Sequence, residues 1–598
     1  MDQQTPTMTG AEEVSWDLTD LYSAQDDPAI DADLHSAQTT AQALAADYRG
    51  RIATLSAGAL ASMLQRYEQA AEKIARAYSY ASMAFSVDTA DPALGALVAK
   101  MQENYSQFQQ TIIFFSLEWA NLDPEQAQAL IEDPALSRYR HYLETLRMRE
   151  PYMLSEPEEK ILAEKAVTGR SAWVRYFTQV QSAARYPFRG EPLSQSAILA
   201  KLYEADRDMR IDAWQGITDG LRANAMTNTY IFNQVLADKA SNDRLRGYPS
   251  WITSRNLSNE VDDESVQALI DAVTSRYDIV QRYYTLKRNL MGLDELFDYD
   301  RYAPLEESDA FFSWDEARTM VLESFGAFHP TVQEVANHFF EGGWIDAPNR
   351  PAKRGGAYAT PTVPSVHPYV FMNYMGRARD VETLAHELGH GIHMYLSRQQ
   401  GILQAGTPLT TAETASTFAE MLVFQDLLER AQDPRERLAL LSGKIEGSFA
   451  TVFRQISMNR FEESIHLARR GEGELSTARF SELWLASQRA MFGDSVTMTG
   501  EYGLWWSYVP HFLHTPGYVY AYAFGELLVL ALYARYQQGA EGFEERYIEA
   551  LSMGGADWPH TIMAPLGVDL TDPQFWHEGL GILDDLVGEA EAIAAETI

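Results

Sequence analysis

The chain has 598 residues, no cysteine and a formal net charge of -36 at pH 7. This acidic excess argues against a nucleic-acid partner, which would require a basic surface, and against binding to an anionic membrane. The absence of cysteine excludes disulfides and thiolate metal ligands, which suits a reducing cytoplasm. The first fourteen residues lack a basic segment and an apolar core, and no run of 18 apolar residues occurs. We therefore expect a cytoplasmic protein without a secretory signal or a membrane span.

The first part of the chain is predicted to be helical. Apolar residues recur every three or four positions over residues 55–146, and Asp-Pro pairs at 123–124 and 133–134 indicate helix starts. No segment rich in proline, serine or glycine resembles a flexible linker. We predict an N-terminal helical lobe over residues 1–205 and a larger second region over residues 206–598.

Two stretches interrupt the helical pattern. A short strand pair is predicted at residues 184–193, around a turn at Arg189-Gly190-Glu191. Between Gly342 and Tyr374, several prolines and glycines exclude a helix, whereas residues 369–374 have the composition of a strand. This predicts a small sheet. A strand just before a helix can present an unpaired edge, to which an extended peptide adds through backbone hydrogen bonds.

The most informative run, H-E-L-G-H at residues 386–390, follows that sheet. His386 and His390 are four residues apart, so on a helix they would share one face and could bind one metal ion. Glu387 could then reach a water on that metal without being a ligand itself. The pattern indicates a zinc peptidase.

The surrounding sequence predicts the helix that this arrangement needs, over residues 381–399. No proline interrupts this stretch, and Leu384, Leu388 and Ile392 repeat every four residues as a buried stripe. Asp380 precedes the stretch and is predicted to be its N-cap.

Three other residues of this helix suggest further roles. Glu382 lies one helical turn before His386, so it either accepts a hydrogen bond that fixes the imidazole tautomer or interacts with the helix dipole. Gly389 and Gly391 are poor helix formers, which predicts the close approach of another backbone or of the substrate.

A catalytic zinc needs a third protein ligand and one open position. A second helix is predicted over residues 410–430, with Glu413, Thr417 and Glu420 on one face. Glu413 comes first on that face, and we predict that it completes a site for one zinc ion per chain. Glu420 is predicted to support the site from behind the ligands.

A later stretch differs in composition from the helices before it. Gly500 and Gly503 interrupt aromatic residues within residues 497–515, which predicts an aromatic loop able to move over a cleft. A helix is predicted to follow over residues 516–536.

Candidate oxyanion donors lie at the start of that helix. His514, Tyr518 and Tyr522 are four residues apart and would share one helical face. Imidazole and phenol groups are neutral donors that can stabilise the oxyanion formed at the scissile carbonyl. The register stays open, because His511 could replace His514 and Tyr520 could replace a neighbouring tyrosine.

Several runs resemble the oligoendopeptidase F family, bacterial relatives of thimet oligopeptidase. They are W-D-L-T-D-L-Y at 16–22, R-G-G-A-Y at 354–358, D-V-E-T-L-A at 380–385, E-T-A-S-T-F-A-E at 413–420, H-T-P-G-Y-V-Y-A-Y at 514–522 and G-V-D-L at 567–570. The resemblance implies that His386, His390 and Glu413 bind zinc, that Glu387 is the general base, and that a histidine and tyrosines of the late run hold the oxyanion. It also implies that substrate binds along the sheet edge, and the candidate contacts are Gly355, Gly356, Ala357, Tyr358 and His511.

We therefore expect a mainly α-helical protein, a two-lobed zincin with a deep substrate cleft and a small β-sheet beside the zinc helix. The predicted activity is zinc-dependent endopeptidase hydrolysis of short unfolded oligopeptides. One alternative is a metallocarboxypeptidase or aminopeptidase, with Arg354 or Arg377 as a clamp for a substrate carboxylate. Another is a helical binding protein with structural zinc, although such sites usually have a fourth protein ligand, commonly cysteine.

Overall fold

The computed structural model describes residues 8–305 and 310–597, so predictions for the first seven residues lie outside it. Helices dominate, as predicted. In the first half they are α1 (Pro28–Tyr48), α2 (Ala57–Val87), α3 (Pro92–Ile112), α4 (Phe114–Ala120), α5 (Pro124–Ile131), α6 (Arg140–Arg147), α7 (Glu156–Thr168), α8 (Arg170–Ala183), α9 (Gln195–Ala200), α10 (Arg207–Arg246), α11 (Thr253–Ser258), α12 (Asp263–Ser275) and α13 (Tyr277–Leu290).

The helices of the second half are α14 (Trp314–Phe328), α15 (Pro330–Glu341), α16 (Ala378–Ser397), α17 (Ser416–Arg430), α18 (Pro434–Thr451), α19 (Phe453–Glu472), α20 (Thr477–Phe492), α21 (His511–His514), α22 (Tyr520–Gln537), α23 (Phe543–Met553), α24 (Pro559–Met563) and α25 (Pro573–Thr597). Within the two described ranges, each helix is too short or too polar to cross a membrane.

The chain forms two compact units, each assembled from separate segments of sequence. The first comprises Met1–Glu150, Asp309–Arg430 and Arg535–Asp569, and the second comprises Pro151–Ser308, Ala431–Ala534 and Leu570–Ile598. The predicted division of the sequence into residues 1–205 and residues 206–598 stays a prediction.

The N-terminal helices of the first unit pack around a continuous apolar core that includes Phe108 and Trp119. Asp123 accepts hydrogen bonds from the first turn of α5, as its position before Pro124 predicts. The corresponding pair Asp133-Pro134 begins a 3-10 helix and not an α-helix.

In the part of the chain that the structure describes, five strands form two small sheets: β1 (Tyr186–Phe188), β2 (Glu191–Leu193), β3 (Ile345–Pro348), β4 (Tyr358–Thr360) and β5 (Tyr369–Tyr374). The predicted strand pair is confirmed, since β1 and β2 pair antiparallel around Arg189 and Gly190, both with positive φ. The predicted turn is one residue too long, because Glu191 pairs with Phe188 as the first residue of β2. The second sheet, in the first unit, has the order β3-β5-β4. The prediction of a free edge on the strand before the histidine helix is therefore wrong, because β5 is central and β4 lies at the edge.

The aromatic stretch of the second unit is a folded element. Glu501–Tyr508 form a 3-10 helix in which Trp505 and Trp506 are fully buried. Trp506 stacks on Phe480 with a centroid separation of 4.6 Å. The prediction of a mobile aromatic loop is wrong for these residues, because burial of large aromatic surfaces anchors them in the core.

Candidate active site

Helix α16 carries the two histidines of the H-E-L-G-H run. It begins at Ala378, three residues before the predicted start, and Asp380 is inside its first turn. The prediction of Asp380 as N-cap is wrong: its carboxylate accepts the backbone N–H groups of Met375 and Arg377, each at 3.0 Å. It satisfies donors ahead of the helix from within the first turn, as the acidic residue of a capping box does. The predicted apolar stripe is buried.

Gly389 and Gly391 occur where other groups approach α16 closely. A Cβ atom at Gly389 would lie 2.5 Å from the carbonyl oxygen of Ala415 and 2.6 Å from Cα of Ser416. At Gly391 a Cβ atom would lie 2.5 Å from the ring of Phe339. The predicted close approach of another backbone is confirmed at Gly389, and this approach brings the segment before α17 against the histidine face.

Glu413 lies in that segment, outside the helix. The predicted start of the second helix at residue 410 is wrong, because α17 begins at Ser416. Side-chain hydroxyls add to the backbone hydrogen bonds of this turn: the carbonyl of Thr411 accepts from the N–H of Thr414 at 3.2 Å and from its Oγ1 at 2.8 Å. Tyr547 Oη in turn donates to the carbonyl of Thr414 at 2.7 Å. The turn that carries Glu413 is therefore held by specific hydrogen bonds.

The carboxylate of Glu413 lies close to both histidine rings. Its Oε2 atom is 3.5 Å from Nε2 of His386 and 3.3 Å from Nε2 of His390, and one ligand atom from each residue lies within 4.8 Å of the others. Burial raises the pKa of Glu413, but His390, His386 and the Ser416 hydroxyl outweigh it and lower that pKa to about 2. The carboxylate is thus in the ionised form that binds cations.

Glu420, one turn along α17, orients the first histidine. Its Oε2 atom lies 3.1 Å from Nδ1 of His386. A carboxylate that accepts the Nδ1–H directs the Nε2 lone pair away from itself and towards Glu413. Burial lowers the pKa of His386, but the nearby carboxylates, Glu420 foremost, raise it overall. The role predicted for Glu382 at this ring stays a prediction.

These donors fit a divalent metal ion. Two imidazole nitrogens and one carboxylate oxygen are the ligands typical of a catalytic zinc with an open position, and the supporting carboxylate behind one histidine is a usual feature of such sites. The next histidine of α16, His393, is a core residue, since it is buried and burial lowers its pKa to about 4.

Glu387 connects the histidine helix to the sheet. Its side chain is buried, which raises the pKa of Glu387, while the charges of His386 and His390 oppose that shift. The backbone N–H of Ala359 on β4 lies near enough to this carboxylate to lower its pKa. The outer edge of β4 therefore faces α16. No sequence signal indicated this contact, because it joins a side chain to a backbone group 28 positions earlier.

The candidate substrate-binding run R-G-G-A-Y leads into this edge strand. Gly355 and Gly356 are exposed, and the carbonyl of Gly356 accepts a hydrogen bond from Nδ2 of Asn373 at 2.9 Å. Ala357 and Tyr358 are half-buried, and the Tyr358 ring stacks on Phe371. The run is thus an ordered approach to β4.

The second unit brings together a histidine and two tyrosines. Tyr522 Oη lies 3.5 Å from Nε2 of His511, and the rings of Tyr518 and Tyr522 are 4.9 Å apart. The predicted helix over residues 516–536 is wrong at its start, since α22 begins at Tyr520. A turn at Gly517, with φ of +77°, separates it from α21, so the predicted helical face does not exist.

The other two candidates have different surroundings. His514 is exposed, and its Nε2 atom lies 3.2 Å from Oγ1 of Thr178 on α8. Tyr520 is fully buried; its hydroxyl donates to Oδ1 of Asn256 at 2.7 Å and accepts from Nδ2 of Asn259 at 2.9 Å. The tyrosine pair is accompanied by His511 and not by His514, and Tyr520 is a core residue.

A mainly helical fold that gathers two histidines of an H-E-x-x-H run and a glutamate defines the class of metal-dependent peptidases. Comparison with known proteins agrees. The sequence model of peptidase family M3 matches residues 200–582, and that of oligopeptidase F matches residues 118–186. The chain belongs to peptidase family M3 and is a metalloendopeptidase.

Individual relatives match over most of their length. Oligopeptidase PepF of Bacillus subtilis (strain 168) is 27% identical, with 97% of this chain and 87% of the relative covered. Group B oligopeptidase PepB of Streptococcus agalactiae is 26% identical, with 88% of each chain covered. The fold is similar to that of a crystal structure from Chlamydophila abortus, with a TM-score of 0.87 and 23% identity over 97% of this chain and 98% of the other. It is also similar to the crystal structure of oligoendopeptidase-F from Enterococcus faecium, with a TM-score of 0.70 and 21% identity over 95% of this chain and 98% of the other.

Proposed function

We propose that this protein is a zinc-dependent endopeptidase that hydrolyses short, unfolded oligopeptides. The observation that carries the proposal is the convergence of His386, His390 and Glu413 on one point of the first unit, with Glu387 as the next carboxylate on the same helix. The names of the relatives, oligopeptidase and oligoendopeptidase, support the choice of substrate class.

In this proposal the three ligands hold one zinc ion, and Glu420 keeps His386 oriented towards it. A zinc ion held there would lower the pKa of water and so would supply hydroxide at neutral pH. Glu387 accepts the proton of the attacking water and then delivers it to the leaving amine. The Ala359 N–H near Glu387 belongs to the edge strand, so a peptide added along β4 would lie beside this carboxylate.

The oxyanion is assigned to three side chains late in the sequence. Tyr518 and Tyr522 offer phenol groups and His511 an imidazole, and none of them carries a negative charge that would repel the developing oxyanion. Burial and the charge of Arg454 lower the pKa of His511, which favours its neutral form. His514 is left out of this group, because its ring is directed towards Thr178.

The test of the function is a peptide that is acetylated at its N-terminus and amidated at its C-terminus. We expect cleavage of an internal bond, loss of activity with a chelator, and recovery when zinc is added back, because an endopeptidase needs no free terminus. Mass spectrometry of the products checks the position of the cut. Failure to cut this peptide, with release of single residues from an unblocked version, would support the exopeptidase alternative.

Replacement of Tyr518 with phenylalanine tests the oxyanion assignment. We expect kcat to fall roughly 10²- to 10³-fold with little change in KM, because the hydroxyl would bond to the oxyanion and not to the ground-state carbonyl. Bound zinc should be unchanged. Steady-state kinetics and metal analysis on the purified variant provide both measurements.

Tyr520→Phe is the matched control, since it removes the same atom two residues away. Among the partners described, the Tyr520 hydroxyl bonds only to the buried side chains of Asn256 and Asn259. Loss of this hydroxyl should lower the free energy of unfolding by about 1 to 3 kcal/mol. The kcat per folded molecule should stay normal. Equal kcat values for the two variants would contradict the assignment of Tyr518.

A further inference from the structure

Tyr518 lies at the end of a tight turn, not on a helix. Its N–H donates to the carbonyl of Thr515 at 3.1 Å. Pro516 and Gly517 occupy the two central positions, and Gly517 has φ of +77°, which is the pattern of a type II β-turn. Such a turn uses the N–H of its fourth residue, here Tyr518, and leaves that of the third residue without a partner inside the turn. Gly517 is buried, so its N–H requires an acceptor from another element.

That acceptor is Glu462 of helix α19. Its Oε1 atom receives the N–H of Gly517 at 2.6 Å, and the side chain is fully buried. On another side the turn packs tightly, since a Cβ atom at Gly517 would lie 3.3 Å from Cβ of Arg255 and 3.4 Å from Cγ1 of Ile252. The turn that precedes Tyr518 is therefore held by the short hydrogen bond to Glu462 of α19, by a longer one from Nε of Arg255 to the carbonyl of Pro516 at 3.5 Å, and by contact with the segment around α11.

The Glu462 carboxyl makes few other polar contacts. Among the described residues its Oε2 atom has no hydrogen-bond partner, and His466 Nε2 lies 4.0 Å from Oε1, beyond hydrogen-bond range. Burial raises the pKa of Glu462 to about 8, against the opposing effects of the Gly517 N–H and of the charges on Lys239 and Arg255. Burying a carboxyl with a single partner is unfavourable for stability, which points to a use of that one hydrogen bond.

We propose that Glu462 is a positioning residue for peptide hydrolysis, and that its hydrogen bond to Gly517 fixes the turn that presents Tyr518. The inference rests on the proposed oxyanion role of Tyr518. Glu462 acts through that tyrosine and does not contact the reacting groups. A small displacement of the phenol would weaken its bond to the oxyanion much more than it would weaken substrate binding.

Two substitutions of similar size separate hydrogen bonding from packing. Glu462→Gln keeps an oxygen acceptor for Gly517 N–H, whereas Glu462→Met fills the same space without one. We expect Glu462→Met to lower kcat roughly 10- to 10²-fold, the scale of a misplaced catalytic group, with KM and bound zinc little changed. Glu462→Gln should recover most of this loss, because a glutamine closely imitates the uncharged carboxyl.

Asn233→Ala is the control for a merely structural effect. Asn233 lies in the same unit and clamps the backbone N–H and carbonyl of Leu475, each at 2.8 Å. Its loss should lower the melting temperature and leave kcat per folded molecule normal. In the double variant Glu462→Met/Tyr518→Phe we expect the kcat of Tyr518→Phe alone, since a positioning residue has no effect once its target hydroxyl is gone.

The outcomes separate the two proposals. If Glu462→Met keeps the kcat of the Asn233→Ala control, or if the two losses multiply in the double variant, the positioning role is overturned and the oxyanion role stands. If Tyr518→Phe itself keeps normal kcat, the oxyanion role is overturned and the positioning role with it. Gly517→Ala strains the same turn without changing Glu462, so if Glu462→Met does not fold, normal kcat in Gly517→Ala overturns the inference.

Discussion

Glu387→Gln is expected to lower kcat by about 10²- to 10⁴-fold, the usual contribution of a positioned general base. Glutamine keeps the size of the side chain and an oxygen acceptor near the Ala359 N–H, so the fold should persist. It cannot accept a proton from water. Because Glu387 is not one of the three converging ligands, the zinc content of the variant should match that of the unchanged protein.

The measurement is kcat on the doubly blocked peptide, with bound zinc determined on the same sample. Glu429→Gln provides the matched control, because it makes the same chemical change at an exposed residue near the end of α17. Activity of Glu387→Gln within about tenfold of normal would exclude the general-base role, whose contribution is larger than that.

Glu413→Ala is expected to abolish stable zinc binding while the protein stays folded. The substitution removes one of three zinc ligands. Removal of a residue that only hydrogen-bonds to a ligand lowers metal affinity roughly 10- to 100-fold, and the loss of affinity in Glu413→Ala should be greater than that. The turn around Glu413 keeps the hydrogen bonds of Thr414 and Tyr547, which do not involve the glutamate side chain. Metal analysis after dialysis against a zinc buffer, together with the melting temperature, tests both parts.

Glu420→Gln is the comparison that identifies the third ligand. If Glu420 only orients His386, its substitution should weaken zinc binding by about 10- to 100-fold and leave some metal bound at high zinc concentration. A greater loss of zinc from Glu420→Gln than from Glu413→Ala would reverse the assignment of the two carboxylates.

The sequence by itself was sufficient for features that depend on local spacing. Helical periodicity requires His386 and His390 to share a face, and it buries Leu384, Leu388 and Ile392 on another side. The composition of residues 369–374 likewise predicted β5. The order of acidic residues on the predicted second helix, together with the family resemblance, selected Glu413 as the candidate third ligand.

Local side-chain hydrogen bonds and bonds from distant segments together decided the remaining features. The glutamate Glu413 lies in a turn and not on α17, because Thr414 and Ser416 direct their hydroxyls to the backbone and Tyr547 of a later helix holds that turn. Strand β5 is central because β3 and β4 pair with it from both sides, and no local pattern specifies which strand is the edge.

Tertiary contacts also explain why His511, and not His514, lies beside the tyrosine pair. Spacing in sequence favoured His514, yet Pro516 and Gly517 interrupt the helix, and the turn between α21 and α22 brings His511 to Tyr522. Glu462, 55 positions before Gly517, stabilises that turn through a buried hydrogen bond. Periodicity in the sequence therefore determined the helical face that carries the histidines and the buried apolar stripe. Only the tertiary structure decided which donors lie close together, because side chains bond to backbone groups far away in the chain.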